Sequence, residues 1–336
     1  MKKRILSAVK PFVFDVFGSE IFLSRRLKKI RNANILTILN LHRVDDRATP
    51  YEALSPKLFE ELVIWLKGRF DIVTFGDLDE GKPGKKPQLI LSFDDGYKDF
   101  IDIVMPILAR HDVRANQNVI PGCIENGRPP MNVILGDFIA TAPAALLRET
   151  ALPGLPDGVD TNKRTEAALR ASAALKSRPI VEQKKIFSSL EPQLARFDGF
   201  KPTAMMSLDE VRQATTVHEI GMHSFEHASM QYETDGYLQA DAAKCMDYGK
   251  ERLGATPNIY AFPNGSAREE QIHILKEAGF SKIFLVGEDF SNRDSSIHSR
   301  FTIYAASQSE ARFRSLGGFK RIEERNTIKN RKRGGL

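Results

Sequence analysis

Residues 89–97 read Leu-Ile-Leu-Ser-Phe-Asp-Asp-Gly-Tyr, an apolar run that ends in two adjacent carboxylates. A buried strand of this kind delivers Asp94 and Asp95 at the rim of a sheet, where enzymes place chemistry. His223 and His227 have the spacing that lets two imidazoles chelate one ion if the chain turns helically after His223. Together these residues indicate a divalent metal with a carboxylate base beside it.

Each of the two signals also has a purely structural explanation. An Asp-Asp pair can cap a following helix, and two histidines can be ordinary surface or core residues. Their joint occurrence favours chemistry, because one oxygen and two imidazole ligands leave metal positions open for water and substrate. Such an ion polarises a carbonyl and lowers the pKa of bound water, whose proton the second carboxylate can accept.

Strands alternating with helices must position these residues. Ser55 precedes a capped amphipathic helix, and Ser207 with Glu210 has capping-box spacing just before the histidine segment. The alternation predicts a mainly parallel sheet, open or closed into a barrel, with both site segments at the carboxyl ends of strands. Apolar runs predict strands at 35–41, 71–75, 89–93, 113–120, 219–223, 258–262, 282–286 and 301–304.

The charge distribution divides the chain. The net charge of +6 comes from the two ends, since 1–33 has nine Lys/Arg against two acids and 320–336 has seven against two. The acidic middle argues against nucleic-acid binding. Residues 125–206 are helical and Ala-rich and interrupt the strand rhythm, which predicts a helical insertion. The predicted division is a basic amphipathic extension (1–33), a barrel (34–318) and a basic tail (319–336).

The N-terminal segment allows two interpretations. Val9, Phe12, Val13, Val16 and Phe17 follow helical spacing, and four Lys/Arg come soon after. The segment can lie on an anionic membrane surface or pack on the protein's own surface. Polar residues and a proline interrupt it before it could form an export signal or a span. We therefore expect a cytoplasmic protein, peripheral on the inner face of the membrane in the first case.

The two chemical segments resemble motifs of a known family, the NodB-like polysaccharide deacetylases of carbohydrate esterase family 4. Residues 93–96 (Phe-Asp-Asp-Gly) are similar to its first motif and residues 223–227 (His-Ser-Phe-Glu-His) to its second. The resemblance implies a distorted (β/α) barrel. It also implies that Asp94 is the general base and that Asp95, His223 and His227 hold the metal.

The third motif resembles a variant branch of the family that reads Phe-Ala-Tyr-Pro-Tyr-Gly. Residues 260–265 are Tyr-Ala-Phe-Pro-Asn-Gly, so Ala261 stands where the better-known branch has an arginine that orients the base. Arg300 is the predicted replacement. The backbone N–H of Asn264 is predicted to bind the oxyanion, a role that survives a change of side chain. The alternative for this segment is a plain turn, and both can hold.

The remaining site predictions are weaker matches. Residues 296–298 (Ser-Ile-His) are a loose match to the motif that carries the family's histidine acid. A surface-loop histidine is the favoured explanation of His298, so the acid stays unassigned. His42 and Pro263 are predicted to contact substrate. Residues 115–119 read Ala-Asn-Gln-Asn-Val, where the family usually has Ala-Thr-Phe-Phe-Val. Asn116 and Asn118 in a buried strand need partners, so they either bind polar substrate or form a structural network, and we favour substrate.

These features predict a metal-dependent hydrolase that removes N-acetyl groups from a sugar, oligosaccharide or lipid-linked glycan. The alternative is a catalytically silent carbohydrate-binding protein of the same fold, suggested by the missing arginine and the unassigned acid. A metal-dependent phosphoesterase would need more carboxylates or a second metal. Zn²⁺ suits the mixed N/O ligands best, with Co²⁺, Ni²⁺ or Fe²⁺ as alternatives.

Overall fold

The structure, a computed structural model, describes residue 14 and residues 16–47, 50–51, 53–81, 84–155, 158–265 and 267–322. The strands are β1 (Thr37–Leu41), β2 (Asp71–Ile72), β3 (Gln88–Phe93), β4 (Asn116–Val119), β5 (Glu219–Met222), β6 (Ile259–Ala261), β7 (Lys282–Phe284), β8 (Ile297–His298) and β9 (Phe301–Thr302). The α-helices are α1 (Glu20–Ala33), α2 (Pro56–Lys67), α3 (Phe75–Asp79), α4 (Met105–Arg110), α5 (Pro121–Asn126), α6 (Met131–Thr141), α7 (Ala144–Glu149), α8 (Arg164–Lys176), α9 (Ile180–Ala195), α10 (Leu208–Thr215), α11 (Asp235–Tyr248), α12 (Glu269–Glu277) and α13 (Gln308–Ser315). None of these described helices has the length and apolar character that a membrane span needs.

The strands form one parallel sheet in the order β8-β7-β6-β5-β4-β3-β1-β9, with β2 paired to β3. The two outer strands come from one short segment, residues 297–302. Its first half pairs with β7 and its second half pairs with β1. This segment therefore spans the gap between the two edges, and the sheet curls into the predicted distorted (β/α) barrel.

Each predicted strand run contains an observed strand, and both predicted helix caps form. Ser55 Oγ accepts from Leu58 N at the start of α2, and Ser207 and Glu210 make the reciprocal capping box of α10. The prediction missed β8, because two residues give no periodic signal. His298, treated as a loop residue, lies in this strand.

The barrel interior has an apolar layer below a polar one. Ile38, Ile90 and Phe284 pack together inside, whereas the alternate residues Leu39 and Leu91 face the surrounding helices. Nearer the carboxyl ends of the strands, the inward positions become polar. Polar side chains are therefore concentrated inside the barrel at the carboxyl ends of the strands, where the candidate site lies.

Helices α5 to α9 lie between β4 and α10, within and around the predicted insertion. Residues of α6, α7, α8 and α9 form an apolar cluster separate from the main core. These helices therefore bury their own apolar faces. The exact division of the chain into extension, barrel and tail stays a prediction.

The described part of the N-terminal segment packs against the C-terminal part of the chain. Arg26 donates hydrogen bonds to the carbonyls of Leu316, Gly317 and Lys320. The Phe17 ring lies 4.9 Å from the Phe319 ring, between centroids. Packing on the protein's own surface thus holds for this part, while Val9, Phe12 and Val13 lie outside the described residues.

Candidate active site at the carboxyl ends of the strands

The turn after β3 places two carboxylates with different surroundings. Asp95 and Gly96 both have positive φ, at 79° and 85°. Such a conformation is unusual for a residue with a side chain and is often held at functional sites. Glycine suits the second position, where a Cβ would also meet Ile124 at 3.3 Å. The turn directs Asp94 toward the barrel interior and Asp95 toward the histidine loop.

Asp95, His223 and His227 converge on one point. Their ligand atoms lie within 4.8 Å of one another, and Asp95 Oδ1 is 3.4 Å from His223 Nε2 and 3.5 Å from His227 Nε2. His223 Nδ1 lies 2.9 Å from the carbonyl of Ala261. If Nδ1 carries the proton and donates it there, Nε2 has a free lone pair for a metal.

The trio fits a divalent ion by its chemistry as well as its geometry. Asp95 Oδ1 is buried without a hydrogen-bond partner among the described residues, as expected of an atom whose partner is a metal. Burial lowers the pKa of His227 to about 3, although Asp95 opposes this shift. The ring is therefore neutral near pH 7, which is the form that binds metals.

The histidine loop is not the helical turn on which the spacing argument depended. Residues 223–227 form a bend in which Ser224 and His227 have φ of 59° and 61°. Asp241 on α11 holds it, because its Oδ1 accepts from Ser224 Oγ and from the Phe225 N–H, both at 2.9 Å. Sequence reasoning missed Asp241, which lies 17 residues away from Ser224 in no recognisable motif.

Arg300 holds the other carboxylate. Its two terminal nitrogens donate to Asp94 Oδ1 at 2.8 Å and to Asp94 Oδ2 at 2.7 Å, and the pair is almost fully buried. The guanidinium lies 4.8 Å from the centroid of the Phe284 ring. Arg300 thus lies next to Asp94, the carboxylate that the sequence analysis expected it to orient.

The charge of Asp94 depends on this pairing. Burial alone would raise the pKa of Asp94, but the charge and hydrogen bonds of Arg300 outweigh burial and hold the pKa well below its usual range. Asp94 is therefore ionised at neutral pH and able to accept a proton.

Asn116 and Asn118 do not line the candidate cavity, as the substrate-binding interpretation would require. Asn118 Nδ2 donates to Asp94 Oδ1 at 2.8 Å, and Ser92 Oγ donates to Asn116 Oδ1 at 2.8 Å. Both asparagines have 0% exposure. They belong to the structural alternative, a network inside the barrel that supports Asp94. Gly221 lies against Asn118, where a Cβ would collide with the amide oxygen.

A cavity of about 280 Å³ opens above the two carboxylates. His42 and Asn264 line it, as predicted, and the His42 ring stacks 6.2 Å from Tyr304 between centroids. A larger cavity of about 620 Å³ lies at the opposite ends of the strands, near Gln88 and Lys282, away from this chemistry. Lining residues that the sequence did not suggest include Tyr51, Tyr97, Asn132, Val133, Lys176, Val286, Thr302 and Tyr304.

His298 and Pro263 do not reach this cavity. His298 is fully buried between Phe75 and Phe284, with neither ring nitrogen hydrogen-bonded to a described residue, so the surface-loop alternative is also wrong. Burial lowers the pKa of His298 to about 4. Pro263 is buried at the start of the turn that presents Asn264. Neither residue is placed to contact substrate.

The fold is that of a class of proteins, the polysaccharide deacetylases. It matches the deacetylase PplD of Streptococcus pyogenes, solved with acetate, over 82% of this chain and 96% of that one, at 15% identity and a TM-score of 0.55. IcaB from Ammonifex degensii matches over 84% and 97%, at 17% identity and a TM-score of 0.54. These likenesses show the fold.

The sequence comparisons agree with this class. Residues 201–283 match the family model described as polysaccharide deacetylase. A poly-beta-1,6-N-acetyl-D-glucosamine N-deacetylase of Escherichia coli (strain K12) is 21% identical over 270 residues, which cover 77% of this chain and 35% of that protein. The chain thus spans about a third of the curated relative. The resemblance to the NodB-like deacetylases is confirmed, while the variant branch stays a prediction.

Proposed function

We propose that this protein is a metal-dependent hydrolase that removes N-acetyl groups from a sugar of a polysaccharide or glycolipid. The observation that carries the proposal is the arginine-held carboxylate of Asp94 beside the trio of Asp95, His223 and His227. The family likeness and the curated relative support the N-acetylated substrate.

The trio would hold one divalent ion, with Zn²⁺ the best match to its ligands and Co²⁺, Ni²⁺ or Fe²⁺ as alternatives. When bound, such an ion polarises an acetyl carbonyl and makes water easier to deprotonate. Proton transfer and stabilisation of the oxyanion are carried out by residues of the protein.

Asp94 accepts the proton of the attacking water, and Arg300 fixes the direction of its carboxylate. The backbone N–H of Asn264 donates to the developing oxyanion. Because the pKa of Asp94 is held low, the proton it accepts is readily released. The leaving amine is a much stronger base, so Asp94 can return the proton to it and complete the cycle.

One of the two reasons for the alternative, a catalytically silent carbohydrate-binding protein, no longer holds. The alternative was suggested by the arginine missing at Ala261, but Arg300 pairs with both oxygens of Asp94 from another segment of the chain.

We also propose that the basic ends hold the protein at an anionic membrane surface. Exposed apolar residues lie in and around α1 and near the C-terminal tail, with Val16 47%, Ile21 71% and Phe319 65% exposed. Their closeness to basic residues supports attachment to the membrane interface. A lipid-linked glycan would be accessible there.

Acetate release tests the proposed function. The full chain is treated with a chelator and assayed on N-acetylglucosamine oligomers and lipid-linked glycans, with and without added Zn²⁺, Co²⁺, Ni²⁺ or Fe²⁺. We expect release that depends on added metal. An Asp95→Ala, His223→Ala variant should neither bind the ion nor release acetate, whereas His273→Ala, at an exposed histidine, should do both. Metal-independent release, or none with any ion, would contradict the proposal.

A further inference from the structure

Helices α6 and α8 supply one wall of the candidate active-site cavity. Asn132 and Val133 come from the start of α6, and Lys176 is the last residue of α8. Tyr51 ties the two helices to the barrel side, because its hydroxyl contacts Ser172 Oγ at 2.8 Å and the Asn132 carbonyl at 3.1 Å. The wall is thus a fixed part of the cavity.

Lys176 differs from Arg43, the other cationic residue in the described lining of this cavity, and from Arg300, which is buried behind Asp94 outside the lining. Arg300 pairs with Asp94, and Arg43 pairs with Asp45 and Asp99. Lys176 has no hydrogen bond or ion pair to any residue in the described part of the chain. An ammonium group in a cavity is costly unless an anion or water accompanies it.

The pKa of Lys176 is consistent with an ammonium group that has no anionic partner close to it in the described part of the chain. Burial lowers the pKa of Lys176, and the negative charge of Asp95 opposes the shift. A divalent ion at the trio would more than cancel the charge of Asp95. The metal-loaded cavity would then carry excess positive charge, because Asp94 is already neutralised by Arg300.

We propose that Lys176 binds an anionic group on the N-acetylated sugar, either a carboxylate or a phosphate. This inference rests on the proposed function and narrows its substrate class. The cavity of about 280 Å³ is slightly smaller than the pockets of about 300 Å³ or more that hold drug-sized ligands. The anionic group is therefore on the sugar that is deacetylated or on its immediate linkage.

The test compares three substrates on the metal-loaded full chain: N-acetylglucosamine, N-acetylglucosamine 1-phosphate and N-acetylglucosaminuronic acid. The variants are Lys176→Gln, Lys176→Arg and the matched control Lys185→Gln, which removes a charge from an exposed position of α9. We expect wild type to prefer one anionic sugar, which identifies the anion as phosphate or carboxylate.

In Lys176→Gln, the ratio of kcat/KM for that sugar to kcat/KM for N-acetylglucosamine should fall about tenfold or more, mainly through KM. Lys176→Arg should keep most of the preference, and Lys185→Gln should keep all of it. An unchanged ratio in Lys176→Gln would overturn the proposal. So would an equal loss of kcat on all substrates with one limb of the pH profile missing, which would make Lys176 a proton donor.

Binding separates this proposal from the proposed function. Calorimetry on the metal-loaded full chain measures the affinity for glucose, glucose 1-phosphate and glucuronic acid, which present the same neutral or anionic groups but have no N-acetyl group and therefore cannot turn over. Affinity for the anionic sugar that depends on Lys176 supports the proposal even if no acetate is ever released. Equal affinities in wild type and Lys176→Gln would overturn it even if the enzyme is active.

Discussion

Two parts of the molecule border the same cavity but hold their side chains in different ways. The rim is the set of strand ends and loops that carries Asp94, Asp95 and the histidine loop, and the wall is formed by α6 and α8 with Asn132 and Lys176. On the rim, Asp94 receives hydrogen bonds from Arg300 and Asn118, and Asp241 fixes the histidine loop through two donors. On the wall, Lys176 reaches the cavity without a described partner. Hydrogen bonds within the protein thus fix the rim side chains in one arrangement, whereas the Lys176 ammonium group is available to bind a ligand.

This difference separates chemistry from recognition. Groups that move a proton must be placed to a fraction of an ångström, so each needs supporting contacts. A group that recognises substrate keeps its hydrogen-bonding capacity for the ligand. Variants of the rim should therefore lower turnover or metal binding, and variants of the wall should change which sugar is used.

The largest effect is expected at the rim. Asp94→Asn should retain the fold and the metal but lose about 10²- to 10⁴-fold in kcat, because the amide cannot accept the proton. Acetate release by metal-loaded protein measures this. Asp102→Asn, which removes an exposed carboxylate, is the control. Near-normal turnover in Asp94→Asn would mean that another group is the base.

Arg300→Gln should affect stability and activity together. Removing one partner of a buried ion pair costs about 3–5 kcal/mol, because the other charge is left uncompensated. Burial would then dominate and raise the pKa of Asp94, so the acid limb of the pH–rate profile should move to higher pH. Denaturant unfolding and pH–rate profiles measure both effects, with exposed Arg110→Gln as the control.

The sign of the pH dependence follows from the lowered pKa. The folded-state pKa of Asp94 lies below the unfolded value of about 4, so the pair stabilises the protein above that pH. Its contribution is lost as the pH falls further. The stability difference between wild type and Arg300→Gln should therefore be largest near neutral pH, begin to shrink as the pH falls through the raised pKa of Asp94 in the variant, and shrink further below about pH 4. A difference independent of pH would show that lost packing, and not charge, is responsible.

The same contrast explains what the sequence could predict. Asp94, Asp95 and the two histidines follow strands with clear apolar runs, and parallel strands bring their carboxyl ends together. Arg300 was predicted to orient Asp94 because Ala261 stands where an arginine is expected. The inward or outward direction of Asn116 and Asn118 could not be predicted, because strands buried on both faces show no alternation.

Residues of the wall were missed for a different reason. Lys176 and Asn132 come from helices that bury a separate apolar cluster. The sequence of these helices has no motif or pattern that indicates a contact with the barrel. Their place in the cavity depends on packing between distant segments, such as the contact of Tyr51 with Ser172. His298 was misjudged similarly, since a two-residue strand leaves no trace in the periodicity.

A smaller rim effect is expected at Asp241, which touches no ligand atom. In Asp241→Asn one oxygen becomes an NH₂ group, so either the histidine loop or Tyr260 loses its acceptor. Outer partners of metal ligands are typically worth about 10- to 100-fold in metal affinity, and we expect the lower end. Competition with a chelator measures it. Asp247→Asn on the same helix should match wild type, and unchanged affinity in Asp241→Asn would show that the loop needs no such support.

The smallest effect on turnover is expected at the two ends of the chain, which belong to neither the rim nor the wall. A chain of residues 14–322 lacks four Lys/Arg at one end and five at the other. It keeps the whole described lining, which lies between Asn40 and Tyr304, so acetate release from a soluble sugar should match the full chain. Each basic residue near an anionic surface contributes about 1 kcal/mol to attraction. The full chain should therefore sediment with anionic vesicles at low salt, the shorter chain much less, and added salt should weaken both. If neither chain sediments, the ends have another role, and the contacts of Phe17 and Arg26 with the C-terminal part of the chain account for this region by packing alone.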